Sequence, residues 1–333
     1  MVITSDLLST CAGIIVPGAL GSTDMRLILL SCGVPLRPDT EDIETVELPE
    51  VPSRADLRFL DALADDILPH DPTPSLDEIA AQPDVAHMGT PQLAPQPIED
   101  PVRVIVHGTD AALSAVLTRM MRADYMWMQV AYLPTDVSSA AAINWGLTES
   151  NAWEVAVRGA VKPVPTIRTD TSSVVAGSAT LTRFSRDDDG PAAGGIGEYI
   201  GEIVVDSQVL LHRVDEGDSA RHFGQFGARL VPMTDAPGIV AAPLVTPRVS
   251  EGRASSRNPR QLQTWLTTPG LRWWARSQAV ATNQVDGSRM LTGRAVQSGG
   301  LDILITIDGV DHPRPVKRVT FYRHLRDTQA VRP

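Results

Sequence analysis

Cysteine is nearly absent from this 333-residue chain, which has only Cys11 and Cys32. Two thiols cannot build a disulfide framework in a chain this long, and no Cys-x-x-Cys pair offers a zinc site. They read as buried thiols of a reducing compartment. Long apolar runs are missing too: Pro, Gly or a charge interrupts each one before the roughly 18 residues that a membrane span requires. No Lys or Arg precedes Arg26, so Met1 to Leu20 lacks the basic start of a secretory signal, and Ile14-Ile15-Val16 reads as a strand or buried stub. These absences predict a cytoplasmic protein without a transmembrane segment. Catalytic signatures are equally scarce. There is no Gly-x-Ser-x-Gly elbow, no Walker loop and no complete Gly-x-Gly-x-x-Gly; Gly195-x-Gly197 reaches Gly201 one residue late. The seven histidines are His70, His87, His107, His212, His222, His312 and His324. None has the i, i+4 spacing of a helical zinc motif or flanks a cysteine, so no metal site is expected. Asp187 to Gly190 lacks the distal Glu of a calcium loop and reads as a solvated turn.

Acid is what the chain has in excess, and it is unevenly placed. The net charge is -11; residues 1–100 hold 18 Asp and Glu against 4 Arg, whereas residues 101–333 hold 22 against 25 Lys and Arg. A net negative chain gives no support for nucleic-acid binding. Residues 1–100 are expected to form an acidic, Pro-rich, partly extended segment. From Pro35 to Pro52, Asp39, Glu41, Asp42, Glu44, Glu47 and Glu50 repel one another and little can be buried, which predicts an extended connector. A short amphipathic helix is expected near 54–68. Ser53 and Asp56 stand in a capping-box-like pair, and Leu57, Leu60, Ala64, Ile67 and Leu68 share one face. A second short helix is expected from Ser75, and Gln82 to Pro101 reads as a linker.

At Pro101 the texture changes. The length suits two domains, and 43% hydrophobic residues supply an ordinary core. Val102 to Val106 reads as a buried strand. Asp110 can cap a helix whose Leu113, Val116, Leu117, Met120 and Met121 form a stripe. Trp127 to Leu133 reads as the next strand, with short helices at Ala140–Trp145, stopped by Gly146, and at Trp153–Ala160. Strand, helix and strand at this spacing predict an α/β subdomain with a Rossmann-like parallel sheet over 101–162. Residues 163–333 hold many short strands with turn signals, such as Asp206-Ser207 and Asp308-Gly309, and predict a β-rich, sandwich-like domain. A helical insert is expected near 259–274, with Asn258 as cap and Pro259 at its first position.

Several of these texts resemble the diacylglycerol kinase, sphingosine kinase and NAD kinase-like superfamily, over roughly residues 101–333. Val104 to Leu113 (V-I-V-H-G-T-D-A-A-L) is similar to that family's strand running into a Gly-Gly-Asp-Gly-Thr turn and a helix. Val130 to Pro134, with Gly146-Leu147 beyond, resembles the strand before its second nucleotide loop. Gly201 to Asp206, Ile303 to Gly309 and Val316 to Arg323 resemble strands of its β domain. The resemblance implies a lipid or NAD kinase-like phosphotransferase using ATP and Mg²⁺. The glycines that would admit phosphate are degenerate here. His107-Gly108-Thr109-Asp110-Ala111 keeps one glycine, and Thr135-Asp136-Val137-Ser138-Ser139 keeps none. A Cβ at such positions obstructs close approach of backbone amides to phosphate oxygens.

A candidate cofactor-binding site remains, because open α/β sheets bind ligands where a strand end meets a helix N-terminus. His107, Gly108, Thr109 and Asp110 would line it, with Thr135 and Asp136 from the next strand. The competing reading makes Asp110 a helix cap and Thr109 a turn residue. No catalytic residue can be assigned. The expected function is a catalytically weak or inactive diacylglycerol-kinase-like protein that binds a small anion or nucleotide, or acts as a scaffold. Its acidic N-terminal segment would recruit a protein partner. The alternatives are an active ATP-dependent lipid or nucleotide phosphotransferase and an unrelated α+β interaction protein. The C-terminal run Arg314, Lys317, Arg318, Arg323, His324 and Arg326 admits three readings: an anion site, an edge strand protected by charge, or a partner for the acidic segment. Trp273-Trp274 reads as a core pair or a partner-binding patch.

Overall fold

The computed structural model describes residues 25–36, 43–69, 89–96, 98–184, 198–213, 225–246 and 284–333. Outside them lie the N-terminal stretch with Cys11, the helix expected from Ser75, the turn at Asp187 to Gly190, the insert near 259–274 with Trp273-Trp274, and His70, His87 and His222.

A parallel sheet leads and a larger, mostly antiparallel sheet follows. The first is built from β1 (Arg26–Cys32), β2 (Ile43–Leu48), β3 (Val102–Gly108), β4 (Gln129–Pro134) and β16 (Gln329–Val331), in the order β16-β4-β3-β1-β2. Its helices are α1 (Arg58–Ile67), α2 (Asp110–Arg122), α3 (Ala140–Asn144) and α4 (Ala152–Arg158). Apolar runs such as Ile28-Leu29-Leu30 and Val104-Ile105-Val106 are continuous because both faces of a parallel sheet are covered. Ile28, Leu30, Val104 and Val106 join the core beneath α1 and α2. Leu29 and Ile105 face the other way, into a smaller core with Ala156 of α4.

The antiparallel sheet comprises β5 (Ile167–Thr169), β6 (Val174–Val175), β7 (Ala179–Arg183), β8 (Gly201–Val205), β9 (Gln208–Arg213), β10 (Gly227–Pro232), β11 (Ile239–Leu244), β12 (Leu291–Gly293), β13 (Ala295–Ile307), β14 (Val310–Asp311) and β15 (Val316–Arg323). The long β13 is its spine and pairs with β7, β8, β14 and β15. Between Gly299 and Ile303 its register with β15 shifts, which lets one strand serve several neighbours. Inward side chains such as Leu181, Ile203, Leu230, Val296 and Phe321 form this sheet's core.

Three segments join the first sheet against expectation, β1 among them. The stretch read as an extended acidic connector holds β2, paired in parallel with β1 from Leu27↔Ile43 to Cys32↔Leu48. As the edge strand, β2 buries Ile43 and leaves Glu44 and Glu47 exposed, so acids that rule out a central strand suit this one. The C-terminal β16 adds beside β4 after the chain has left the antiparallel sheet. The capping-box pair forms, with the Ser53 N–H donating to Asp56 at 2.8 Å, but it sets a turn and the helix proper begins at Arg58.

The return from β15 to β16 rests on a buried ion pair. Arg323 donates to Asp327 at 2.8 Å, and their side chains are 1% and 5% exposed. Asp327 also accepts from the Gln92 N–H, and Arg323 donates to the Gly89 carbonyl, which straps residues 89–96 onto the junction. Asp327→Ala leaves a buried guanidinium without its counter-charge and is expected to cost about 3–5 kcal/mol in urea unfolding. The paired change Arg323→Met with Asp327→Leu should cost less than that single change. A double variant as unstable as Asp327→Ala would refute this account.

Candidate functional site

The carboxyl ends of β3 and β4 open into a cleft of about 580 Å³ between the two sheets, lined by Glu50, Thr109, Asp110, Tyr132, Thr135, Asp136, Ser139, Ser178, Arg229 and Asp308 among others. Thr109, Asp110, Thr135 and Asp136 meet there. His107 and Gly108 lie behind it. His107 is buried in β3 with Nδ1 3.1 Å from the Leu133 carbonyl. Gly108 turns its missing side chain towards the sheet: a Cβ would lie 2.9 Å from Cβ of Cys32 and 3.0 Å from Cβ of Ala112. Glycine is required there by packing between β1 and α2, and its carbonyl is held by Thr135 and Tyr132.

The helix cap is Thr109, whose hydroxyl accepts from the Ala112 N–H, so Asp110 is the first helical residue and its side chain is released for other work. Oδ1 of Asp110 accepts from Tyr132 at 2.9 Å and Ser139 at 2.6 Å, and Oδ2 accepts from the Ala141 N–H at 3.0 Å. Three of about four acceptor sites on this carboxylate are therefore taken. Burial and the nearby Asp110 charge push the Tyr132 phenol far above its ordinary value. Asp136 is exposed and bonds its own loop at Ser138, which lowers its carboxyl.

Asp308 was visible in the sequence only as a turn residue. With φ of 49° and Gly309 at 85°, it makes the two-residue turn joining β13 to β14. Its carboxylate accepts from three successive amides of the loop before β7: Ala176 at 2.8 Å, Gly177 at 2.8 Å and Ser178 at 2.7 Å. Burial pushes the carboxyl up to about 7, the three amides pull it back, and the Asp110 charge adds to the rise. Arg229 is the one basic side chain lining the cleft; it reaches Ser178 at 3.4 Å, and its buried Nε has no hydrogen-bond partner. No local sequence signal links Tyr132, Ser178, Arg229 and Asp308, because they come from four separate strands and loops. Glu50 was assigned to the connector and instead follows β2 into the cleft wall.

A second, apolar pocket of about 310 Å³ adjoins the cleft and shares Val51, Ala111 and Val310 with it. Leu57, Ala115, Ile305 and Ile307 help to line it, with Arg54, Arg119, Arg122, Asp311 and His312. The C-terminal basic run does not form one surface. Arg323 is buried, Arg326 bonds Asp124 and stacks over Trp127, and His324 turns back on Arg326; Arg314, Lys317 and Arg318 remain exposed. Among the described residues no cluster of three or more His, Cys, Asp or Glu is arranged to hold a metal ion. Nor is any helix among them long and apolar enough to cross a membrane.

No family model and no curated protein matches the sequence. Solved structures do match. One is described as a putative diacylglycerol kinase from Bacillus anthracis str. Sterne, with a TM-score of 0.51 at 8% identity over 93% of this chain and 98% of that one. Another is an NAD kinase from Archaeoglobus fulgidus in complex with ATP, with a TM-score of 0.35 at 11% identity over 90% and 91%. The chain shares its fold with the putative diacylglycerol kinase. The likeness begins well before residue 101, since it covers nearly the whole chain.

Two outcomes are expected from these contacts. Gly108→Ala should destabilise the fold by about 1–3 kcal/mol through overpacking against Cys32 and Ala112, read as a lower urea midpoint; an unchanged midpoint would mean the strand and helix have room. For Asp308 the folded value lies above the ordinary 3.8, so the native state keeps a proton that the unfolded chain loses between about pH 4 and about pH 7. Its contribution to stability is greatest below that window and falls as pH rises through it. Wild type should lose stability relative to Asp308→Asn across that range, and parallel curves would show that Asp308 titrates normally.

Proposed function

We propose that this chain is a diacylglycerol-kinase-like protein without phosphotransferase activity, working as a binding or scaffold module. One observation carries the reading: amides bordering the cleft already have carboxylate acceptors from the chain itself. Asp110 takes the Ala141 N–H, and Asp308 takes those of Ala176, Gly177 and Ser178. A phosphate oxygen entering there would have to displace a carboxylate oxygen of like charge.

The residues present do not fit Mg²⁺-ATP. Glu50, Asp110, Asp136 and Asp308 line the cleft with Arg229, and even with Asp308 holding its proton up to about 7 the other three acids make a wall that repels a polyphosphate. A divalent cation could offset that repulsion only through free carboxylate oxygens. Asp110 and Asp308 each spend three of about four acceptor sites on protein donors. Phosphoryl transfer depends on positioning and charge neutralisation, and neither is supplied. A protein partner for the acidic segment stays part of this reading. Edge strand β2 offers Glu44 and Glu47 to solvent beside the open side of the sheet.

Thermal melts with and without millimolar Mg²⁺-ATP provide the test, alongside transfer of labelled γ-phosphate to diacylglycerol, sphingosine or NAD. No shift and no labelled product are expected. Ligand at about 100 times its dissociation constant adds roughly 2.7 kcal/mol, a rise of a few degrees. A rise of that size, or any labelled product, would establish the phosphotransferase instead.

A further inference from the structure

We infer that the apolar pocket beside the cleft binds a small hydrophobic carboxylate. This goes beyond the reading of the cleft and does not depend on it. The pocket's volume of about 310 Å³ sits at the lower end of the range for ligand sites. That is room for a medium-length alkyl chain or a single ring. Leu57 and Ile305 are buried, and Ala115 and Ile307 partly so, and together they give the body of the ligand an apolar wall.

Charge decides the head group. Arg54 is exposed, and besides its electrostatic attraction to Asp61 its guanidinium keeps donors that face solvent. Arg122 spends Nε on the Ser172 carbonyl and Nη2 on the Thr171 carbonyl, which leaves Nη1 for another acceptor. Arg119 is neutralised by Asp61, and Asp311 is the one acid in the lining, with Thr306 donating to it. The lining therefore keeps a small positive excess, while the adjoining cleft carries four acids against one arginine. An anion is drawn to the apolar pocket and turned away from the cleft. A single carboxylate suits this balance, because a dianion would meet both Asp311 and the acids of the cleft. A guanidinium pairs readily with a carboxylate through its planar fork of donors.

The test uses the full chain and three probes of one length: decanoate, decanol and decylammonium, followed by calorimetry and by thermal melts at pH 7.5. Decanoate should bind most tightly and raise the melting temperature, and decylammonium should do neither. Arg54→Ala should weaken decanoate about tenfold, as expected for a lost charge-assisted hydrogen bond, and leave decanol unchanged. Ala115→Phe should fill the pocket and abolish decanoate binding. Arg54 is exposed, so its variant tests the head group even if Ala115→Phe does not fold. The inference is overturned if decanoate fails to bind at millimolar concentration, if decylammonium matches it, or if Arg54→Ala leaves its affinity unchanged. Binding that survives a folded Ala115→Phe also overturns it. A negative decanoate titration with a silent Mg²⁺-ATP melt would leave the reading of the cleft intact.

Discussion

A backbone amide at the edge of a cleft needs an acceptor, and here the acceptors are carboxylates of the chain itself. Gly177 is where the two systems meet. Its N–H goes to Asp308, and a Cβ built on it would lie 2.4 Å from Oδ2 of Asp110. Through Asp110, the start of α2 is tied to β4 by Tyr132 and to α3 by Ser139 and Ala141. Through Asp308, the β13–β14 turn is tied to the loop before β7. Each carboxylate's hydrogen bonds stay with its own sheet, and the two sheets meet at this opening through the close approach of Gly177 to Asp110. Two acids held this close resist joint ionisation, which is one reason Asp308 keeps its proton to higher pH. The same donors cannot also serve a bound phosphate.

How much of the fold could be read from the chain follows from how each strand is buried. β3 and β4 are covered on both faces, so their apolar runs stand out, and the helix between them shows its stripe. β2 is an edge strand with alternating exposure, and its glutamates mimic the composition of an unfolded connector. β16 has three residues and acquires its partner only after the antiparallel sheet is complete, so nothing local marks it. β1 was overlooked because acids and prolines dominate the composition around it, although Leu27 to Leu30 is as apolar as β3.

The lining of the candidate cleft was legible in part. The strand-end rule located Thr109, Asp110, Thr135 and Asp136, because the ends of parallel strands are fixed by topology. It could not tell a cap from its neighbour. A one-residue shift hands the cap to Thr109 and makes Asp110 a cross-link, which reverses the meaning of that carboxylate. Gly108 looked like a remnant of phosphate binding. Its conformation is ordinary, and the constraint on it is Cys32 behind the strand. Asp308 reads in the sequence as a turn residue only, because the amides its carboxylate holds lie about 130 residues away.

Fold likeness alone does not carry chemistry, which has to be argued from the site. The architecture is shared with a putative diacylglycerol kinase, while the opening is lined by four acids and one arginine. Beside that opening, Val51, Ala111 and Val310 form a common wall between an acidic chamber and an apolar one with arginines in its lining. On the inference drawn above, a ligand with one anionic end would be sorted by which side of these three apolar residues it enters.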